Sequence, residues 1–512
     1  MSVHSFWHHA EQNGDYTAVI EDDGTARCAR TLLASSNQVA HGLRALGVEK
    51  GDAIAVVMDN HSIVLEVALA AGQIGVYITP INHHLTMAEV AFILADCQAK
   101  AVVCSQSHAG LTHGALEDTN IPQSARFVVG QAPGFRSFSE LKADQPTTRP
   151  AERVGGFTMT YTSGTTGRPR GVRRPSFDVD PDMLATSFTG FLQMFGIQSG
   201  GVNLVVAPLY HTAVINWTLY NLHFGNTVVL MENWASEGML QRIERYEVTN
   251  AHLVPTHFIR LLQLPDEVRA KYDVSSFVHV VHGAAPCPEK IKRRMLDWMG
   301  PVVYEYYAAT EGGGTLAPPD EWLLRPGTVG KAWPISTIRI LDDDQQILPP
   351  GEVGTVWIRM GQHTFEYHGD EKKTEAAWNA GFFTVGDAGY LDSDGYLFLC
   401  DRKADMIISG GVNIYPAEIE AVLIEHPAVV DCAAFGIPDD DWGEQVKGVV
   451  QLADAESETT PEAILEFCKV RLASYKCPKS IDFVDELPRD PNGKLYKRRL
   501  RDPYWADRTR AI

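Results

Sequence analysis

The order of apolar and polar residues predicts alternating strands and helices over the first 150 residues. A strand-like run, "GDAIAVVM" at 51–58, is followed by a helix-like run, "SIVLEVALAAGQIG" at 62–75. In "GFTMTYT" at 156–162, Phe157, Met159 and Tyr161 alternate with threonines, which is the period of a half-buried strand. These runs predict an α/β fold in which helices cover sheets.

Four strand-like runs in the middle of the chain each end in a loop of small or polar residues. "GFTMTYT" runs into "SGTTG", and the other three are "VNLVVA" before "PLYHTA", "FVHVVH" before "GAAPCP", and "PVVYEYY" before "AATEGGG". Ligands of open α/β sheets bind beyond the carboxyl ends of the strands. We therefore expect these four loops to meet at one site.

The pattern changes after about residue 335. "GTVWIRM", a "DSDG" turn and "GYLFLC" indicate antiparallel strands and hairpins. Further on, one helix is opened by Pro416 and another by Thr460 and Pro461, with strand-like runs between them. The sequence thus predicts a small β-barrel-like subdomain and then a compact C-terminal α+β domain. We place the boundary near Asp401, which gives domains of 1–401 and 402–512.

Composition and charge exclude several classes of function. The 512 residues carry a net charge of −20, which opposes binding to nucleic acid, because that binding needs Lys and Arg to displace counterions. The sequence contains no run of 18 apolar residues, so we do not expect an integral membrane protein. The eight cysteines show no CxxC spacing, and the N-terminus lacks the pattern of a signal peptide. We expect a soluble cytoplasmic protein, and a homodimer is compatible with the sequence.

"YTSGTTGRPRGV" at 161–172 concentrates hydroxyls and glycines. Small hydroxyl side chains and unobstructed backbone N–H groups can converge on phosphate oxygens, although a solvated linker has a similar composition. The loop is neither a Walker A motif nor a GxSxG elbow, because Tyr161 stands where the elbow has its first glycine. The pairs His8–His9 and His83–His84 have no carboxylate or cysteine at useful spacing, so we expect them to be structural or exposed.

Five motifs in order resemble those of the adenylate-forming superfamily, which contains acyl-CoA synthetases, beetle luciferases and the adenylation domains of peptide synthetases. The resemblance extends from "ALAAGQIGVYITPINHHLT" at 68–86 to Lys494. It rests on "YTSGTTGRPRGV", "YYAATEGG", "GFFTVGDAGYLDSDGY", "DRKADMIISGGVNIYPAEIE" and "PNGKLYKRR". It implies a large N-terminal α/β domain, a small mobile C-terminal domain, and the use of ATP, Mg²⁺ and coenzyme A.

The resemblance also implies roles for individual residues. The loop that would hold the ATP phosphates contains Thr162, Ser163, Gly164, Thr165, Thr166, Gly167 and Arg170, the last in place of the usual lysine. Thr310 would contact the α-phosphate and Glu311 the metal, while Asp387 and Arg402 would bind the ribose. Adenine would lie against Ala284, Ala285, Glu305, Tyr306 and Tyr307. Lys494 would be the catalytic lysine, and the backbone of Gly410 and Gly411 would line the pantetheine tunnel.

The acid would lie in a pocket with His211 near its carboxylate. The other expected lining residues are Thr212, Val214, Ile215, Trp217, Gly312, Gly313 and Gly314. The expected function is a ligase that activates a small-molecule carboxylic acid as acyl-AMP and transfers it to CoA. The apolar wall favours a medium or long fatty acid or a bulky aryl or alicyclic acid.

Other members of the superfamily stay open as alternatives. Amino-acid activation is disfavoured, because "HTAVINWTLYNLHF" contains no acidic residue to bind an α-amine. Acylation of a carrier protein, a light-emitting oxidase and a nucleotide-binding protein without catalysis remain. The family's hinge residue is usually Asp or Lys, whereas this chain has Ala404 there.

Overall fold

The computed structural model describes residues 3–117, 119–163, 169–175, 178–402, 405–453, 458–490 and 493–506, and of Ser163 only the backbone. The chain divides into two compact units. The first unit comprises Met1–His252, Asp266–Val281 and Gln362–Ala376. The second unit comprises Leu253–Pro265, His282–Gly361 and Ala377–Ile512.

The described helices alternate with strands over most of the chain. The helices are α1 (Phe6–Gln12), α2 (Ala29–Ala45), α3 (Ser62–Ala71), α4 (Met87–Asp96), α5 (Ala109–Ala115), α6 (Phe138–Lys142), α7 (Pro181–Met194), α8 (Thr212–His223), α9 (Ser236–Tyr246), α10 (Pro255–Leu262), α11 (Asp266–Arg269), α12 (Glu289–Met299), α13 (Pro319–Leu324), α14 (Glu371–Ala377), α15 (Pro416–Leu423), α16 (Pro461–Lys469) and α17 (Lys497–Arg501). Short 3-10 turns occupy Gln106–His108, Gln123–Ala125 and Asp502–Trp505. Among these helices, none is both long enough and apolar enough to cross a bilayer.

The described strands fall into parallel and antiparallel groups. They are β1 (Thr17–Ile20), β2 (Ala26–Cys28), β3 (Ala53–Val57), β4 (Tyr77–Pro80), β5 (Ala101–Ser105), β6 (Arg126–Val129), β7 (Arg136–Ser137), β8 (Phe157–Thr158), β9 (Thr160–Ser163), β10 (Pro169–Arg173), β11 (Val202–Val205), β12 (Thr227–Leu230), β13 (Asn250–Leu253), β14 (His279–His282), β15 (Val303–Ala309), β16 (Gly312–Ala317), β17 (Gly330–Ala332), β18 (Ser336–Leu341), β19 (Gly354–Met360), β20 (Glu366–Tyr367), β21 (Trp378–Asn379), β22 (Phe382–Phe383), β23 (Asp387–Leu391), β24 (Tyr396–Arg402), β25 (Ile407–Ser409), β26 (Val412–Ile414), β27 (Val429–Asp439), β28 (Gly443–Leu452) and β29 (Ser480–Phe483).

The first unit is built on parallel sheets. One sheet has the order β7-β6-β5-β3-β4-β8 with every neighbouring pair parallel. All five residues of β3 are buried, as expected of a strand covered by helices on both faces. A second run of strands, β1, β12, β11 and β13, is also parallel, and β2 pairs antiparallel with β1. The predicted α/β fold is confirmed.

The hydroxyl-rich loop of the first unit joins two antiparallel strands. Thr162 of β9 pairs with Arg170 of β10, and β20 pairs on the other side of β10. Tyr161 anchors the hairpin, since its hydroxyl donates to Asp96 Oδ2 at 2.5 Å. The predicted phosphate ligands Gly164, Thr165, Thr166 and Gly167 and the side chain of Ser163 lie outside the described residues.

The second unit is mainly antiparallel between residues 303 and 402, and its part after about residue 335 agrees with the hairpins predicted there. Strands β15, β16, β17, β24, β23 and β19 follow one another in a sheet, and β18 and β22 also pair with β19. The expected boundary near Asp401 falls within β24, and a boundary there stays a prediction.

The C-terminal part of the second unit has its own small sheet and core. Its strands follow the order β26-β25-β28-β27, and β29 pairs parallel with β28. The two helices begin at Pro416 and Pro461, as predicted, and the Thr460 hydroxyl accepts a hydrogen bond from the Ala463 amide. Ile419, Leu423, Ile464 and Cys468 are fully buried in this core. The predicted small α+β domain is confirmed.

Candidate functional site

Tyr307, Asp387 and Arg402 come together in the second unit. Asp387 and Arg402 are direct cross-strand partners of β23 and β24, and Arg402 Nε lies 3.4 Å from Asp387 Oδ1. The Tyr307 hydroxyl donates to the other carboxylate oxygen at 2.6 Å. Asp387 is buried, whereas 49% of the Arg402 side chain is exposed, so the guanidinium remains accessible to a ligand. The two residues that the resemblance assigns to the ribose are thus neighbours, and their binding of a ribose stays a prediction.

The phenol of Tyr307 is held in its protonated form. Burial raises the pKa of Tyr307 well above its ordinary value, and the carboxylates of Asp387 and Glu311 raise it further. Tyr307 therefore acts as a hydrogen-bond donor at neutral pH. Its donation to one oxygen of Asp387 orients the carboxylate, whose lone pairs can accept from two neighbouring hydroxyl groups of a diol.

Thr310 and Glu311 form the two-residue turn between β15 and β16. Ala309 and Gly312 are paired at the base of this turn. The Glu311 carboxylate acts electrostatically on both Tyr307 and Arg402, which places it in the same cluster. Mg²⁺ prefers one or two carboxylates together with phosphate and water oxygens, so a single carboxylate at a hairpin tip fits such an ion.

The segment after β14 approaches Tyr306 closely. A Cβ on Gly283 would lie 2.8 Å from the Tyr306 ring and from its carbonyl oxygen, so only glycine fits there. Ala284 has a φ of +68°, which costs a residue with a Cβ about 1–2 kcal/mol. Ala285 follows, half-buried. Such strained backbone is concentrated at ligand-binding sites, which agrees with the expected close approach of a flat ring.

The Glu305 carboxylate forms a buried ion pair with Lys292. Lys292 Nζ lies 2.7 Å from Glu305 Oε2, His282 Nε2 lies 3.6 Å from the same oxygen, and the Lys292 ammonium is 4.5 Å from the Trp322 ring centroid. Burial raises the pKa of Glu305 and lowers that of Lys292. Lys292 is a site residue that the sequence does not predict, because the basic segment "EKIKRR" is typical of a solvated helix face. A contact between Glu305 and adenine stays a prediction.

Lys494 lies at the end of a turn that is closed by two hydrogen bonds between Asp490 and Lys494. Its amide donates to Asp490 Oδ1 at 2.8 Å, and the Asp490 amide donates to the Lys494 carbonyl at 2.9 Å. Gly493 has a φ of +78°, and a Cβ there would lie 2.2 Å from Thr256 Oγ1. Burial, and then the positive charge of Arg402, lowers the pKa of Lys494. Lys494 therefore belongs to the same charged cluster as Arg402.

The structure gives packing reasons for several of the glycines that we assigned to ligands. Gly410 and Gly411 both have positive φ in the two-residue turn between β25 and β26. A Cβ on Gly313 would lie 2.4 Å from Ile358, and one on Gly314 would lie 2.1 Å from the Tyr307 carbonyl oxygen, whereas Gly312 has only ordinary contacts with Met360. The space beside Gly313 and Gly314 is thus filled by protein atoms, and their lining of an acid pocket stays a prediction.

In the first unit, the start of α8 is tied to the strand that leads into the hydroxyl-rich loop. The Thr212 and Thr160 hydroxyls are 2.6 Å apart, and His211 immediately precedes the helix. Val214, Ile215 and Trp217 are buried, and the Trp217 indole donates to Asn250 Oδ1 at 3.2 Å. Their role as the wall of an acid pocket stays a prediction.

Comparison with known proteins gives a consistent result. The model of the AMP-binding enzyme family matches residues 6–368, and that of the AMP-binding enzyme C-terminal domain matches residues 418–494. Long-chain-fatty-acid–CoA ligase FadD13 of Mycobacterium tuberculosis is 33% identical over 93% of this chain and 92% of its own. Fatty acid–[acyl-carrier-protein] ligase ScoC of Streptomyces coeruleorubidus is 31% identical over 98% and 96%. The structure of amide bond synthetase McbA from Marinactinospora thermotolerans superimposes with a TM-score of 0.85 at 26% identity over 98% and 99%.

Proposed function

Because the chain belongs to the AMP-binding enzyme family, we propose that it activates a carboxylic acid with ATP and transfers the acyl group to coenzyme A. The observation that carries this proposal is the cluster in the second unit. The buried Asp387 carboxylate is oriented by the Tyr307 hydroxyl and flanked by the accessible Arg402. Tyr307 and Arg402 both lie within electrostatic reach of Glu311.

The cluster has groups suited to each part of a nucleotide. The Asp387 carboxylate and the Arg402 guanidinium can bind the two ribose hydroxyls. Tyr307 and the closely packed segment at Gly283 and Ala284 offer a flat surface for adenine. The carboxylate of Glu311 is a suitable oxygen ligand for Mg²⁺, which would neutralise phosphate charge.

In the proposed first reaction, an oxygen of the acid's carboxylate attacks the α-phosphorus of ATP. The bond from that phosphorus to the β-phosphate oxygen breaks, and pyrophosphate leaves with the electron pair. Two anions must approach each other for this step. The Lys494 ammonium can offset their repulsion, because a fixed positive charge is worth most where negative charge develops.

In the second reaction the sulfur of CoA attacks the acyl carbon. The bond from that carbon to the AMP oxygen breaks, AMP leaves with the electron pair, and the thiol loses its proton to solvent. Lys494 has no role in this step. The two reactions can therefore be separated by a substitution at Lys494.

The acyl substrate that we propose is a medium or long fatty acid or a bulky aryl or alicyclic acid. The apolar residues of α8 and the similarity to FadD13, whose name specifies long-chain fatty acids, support this class. The acceptor has a second candidate, since ScoC is named for transfer to an acyl carrier protein and McbA for amide bond synthesis.

The test is AMP release from a panel of carboxylic acids, measured without an acceptor, with CoA, with a phosphopantetheinyl carrier protein and with an amine. We expect turnover with fatty or bulky ring acids that depends on CoA and yields the thioester. Turnover with an amine or a carrier protein but not with CoA would contradict the proposed acceptor. A lack of acid-dependent ATP–pyrophosphate exchange with every acid would contradict the activity itself.

Replacing Lys494 with alanine tests the catalytic assignment. We expect pyrophosphate exchange to fall by roughly 10²–10³-fold, which is the usual effect of removing one group that stabilises transition-state charge. Transfer from supplied acyl-AMP to CoA should change far less. The matched control is Lys479→Ala, because Lys479 is exposed and lies in the same C-terminal region. Exchange at the wild-type rate in the Lys494 variant would show that the lysine is not catalytic.

A further inference from the structure

Asp59, His83 and His108 form a cluster in the first unit that lies outside the proposed adenylation machinery. Each follows one of three adjacent parallel strands: Asp59 comes after β3, His83 after β4 and His108 after β5. Since β4 and β5 pair on either side of β3, the three residues emerge at one edge of the sheet. Asp59 is 24 residues from His83 in the chain, so sequence spacing does not indicate that the two lie close together.

One possible donor atom of each of the three side chains lies close to those of the other two. Asp59 Oδ1 lies 3.0 Å from His108 Nε2 and 3.5 Å from His83 Nε2, and one donor atom from each residue lies within 4.8 Å of the others. A tetrahedral zinc ion with bonds of 2.0–2.1 Å has ligand atoms about 3.3 Å apart. The two distances from Asp59 Oδ1 lie on either side of that value, and the two histidine nitrogens lie within 4.8 Å of each other.

Neighbouring residues hold the cluster in this arrangement. The Ser107 hydroxyl donates to Asp59 Oδ2 at 3.2 Å, which leaves Oδ1 directed at both imidazoles. The rings of His83 and His108 stack with centroids 4.3 Å apart and planes 14° from parallel. The next residue, Asn60, accepts from the Leu209 amide and donates to the Ala207 and Met231 carbonyls, which fixes the chain beside Asp59. A carboxylate that binds a metal is usually hydrogen-bonded in turn, as Asp59 is by Ser107.

We propose that Asp59, His83 and His108 bind a divalent transition-metal ion of the zinc class, with at least one position left for water. Two imidazoles and one carboxylate favour Zn²⁺ and its first-row neighbours over Mg²⁺, which prefers oxygen ligands. Side-chain exposures of 28% for Asp59 and 19% for His108 give an ion access from solvent, while the His83 side chain is only 9% exposed.

The ion would join the ends of three strands to the loop that precedes α8. The Tyr210 ring meets the His83 ring edge-on at 5.3 Å, and Tyr210 adjoins His211 in the chain. Metal binding would therefore brace the His211 segment without belonging to the reaction. A simple ion pair between Asp59 and His108 is the alternative arrangement, and it predicts no affinity for metal.

The experiment titrates the metal-free full-length protein with Co²⁺ and follows the visible d–d bands, then displaces the Co²⁺ with Zn²⁺. We expect one equivalent to give the bands of a low-coordinate site in the presence of excess Mg²⁺. Asp59→Asn and His108→Gln should each weaken binding at least about 100-fold, because each removes a ligand. The control, His113→Gln, changes an exposed histidine of α5 and should bind like the wild type.

Equal binding by the wild type and by both ligand variants would overturn the proposal, because the metal would then be held by other histidines. The titration of the wild type is by itself a second test of the proposal, and it does not depend on whether the variants fold. If it shows no d–d bands at one equivalent, the cluster is only an ion pair. The readout is spectroscopic, so neither outcome depends on the proposed ligase activity.

Discussion

Replacing Lys292 with methionine should destabilise the second unit strongly. The Lys292 and Glu305 side chains are 0% and 8% exposed, and their charged atoms are 2.7 Å apart. At an effective dielectric constant of about 20, the attraction at this distance is about 6 kcal/mol. Part of this is offset by the cost of burying the charges, and breaking such pairs has a net cost of about 3–5 kcal/mol. We expect a loss near the lower end of this range, because His282 can still interact with the Glu305 carboxylate once Lys292 is gone.

The double variant Lys292→Met/Glu305→Gln should recover most of that loss. It removes both charges, so no uncompensated charge stays buried, and we expect a free energy of unfolding within about 1 kcal/mol of the wild type. The assay is urea unfolding followed by tryptophan fluorescence, with Trp322 beside the pair. Lys290→Met, an exposed neighbour on α12, should change stability by less than about 0.5 kcal/mol.

The same variants separate a structural role of Glu305 from a nucleotide contact. If Glu305 serves only Lys292, the double variant should keep the KM for ATP in pyrophosphate exchange within about twofold of the wild type. A tenfold increase in a protein of normal stability would mean that Glu305 contacts adenine, as the resemblance implies. If Lys292→Met alone unfolds at the wild-type urea midpoint, the reasoning from burial and distance is refuted.

Three further predictions test other parts of the molecule. Gly493→Ala should lower the rate of pyrophosphate exchange at least about tenfold, because a Cβ there would collide with Thr256. The control Gly381→Ala, at a φ of +77° with open space around it, should cost about 1 kcal/mol of stability and leave the exchange rate unchanged. Equal exchange rates in the two variants would contradict the close packing at Gly493. Tyr307→Phe removes a hydrogen bond to a carboxylate and should raise the KM for ATP about tenfold with little change in kcat. An unchanged KM would show that the Tyr307 hydroxyl does not contribute to ATP binding. Burial lowers the pKa of His223 to about 3. The part of the free energy of unfolding that is present above pH 6.5 should therefore be lost as pH falls toward 3, by up to about 1.4 kcal/mol per pH unit. His223→Gln should reduce this slope in urea unfolding, and an identical slope would exclude His223 as the cause.

The strand-and-loop pattern could be predicted because local periodicity alone determines it. The alternation of Phe157, Met159 and Tyr161 marks a strand, and Pro416 and Pro461 mark helix starts, without any knowledge of distant residues. Asp387 and Arg402 are brought together by the short turn between β23 and β24, but the sequence points to them only through the resemblance to the superfamily. These features are ones that neighbouring residues can specify by themselves.

The Asp59–His83–His108 cluster and the buried Lys292–Glu305 pair could not be predicted in this way. Asp59, His83 and His108 are 24 and 25 residues apart and meet only because β3 lies between β4 and β5, and that strand order is a property of the whole sheet. Lys292 lies in a run of four basic residues among "EKIKRR", which indicates a solvated helix face. Only the packing of α12 shows that this one lysine is turned inward.

Exposure separates the charge pair buried inside the second unit from the charges that are accessible to a ligand. Lys292 and Glu305 are a short-range pair with almost no exposed surface, so a nucleotide could reach either only by breaking an ion pair in the interior. Arg402 lies farther from its carboxylate, at 3.4 Å, and keeps half of its side chain exposed. The exposed half of Arg402 therefore remains accessible to a ligand while its ion pair with the buried Asp387 stays intact. Substitutions at the first pair should mainly change stability, and those around Arg402 should mainly change the KM for ATP.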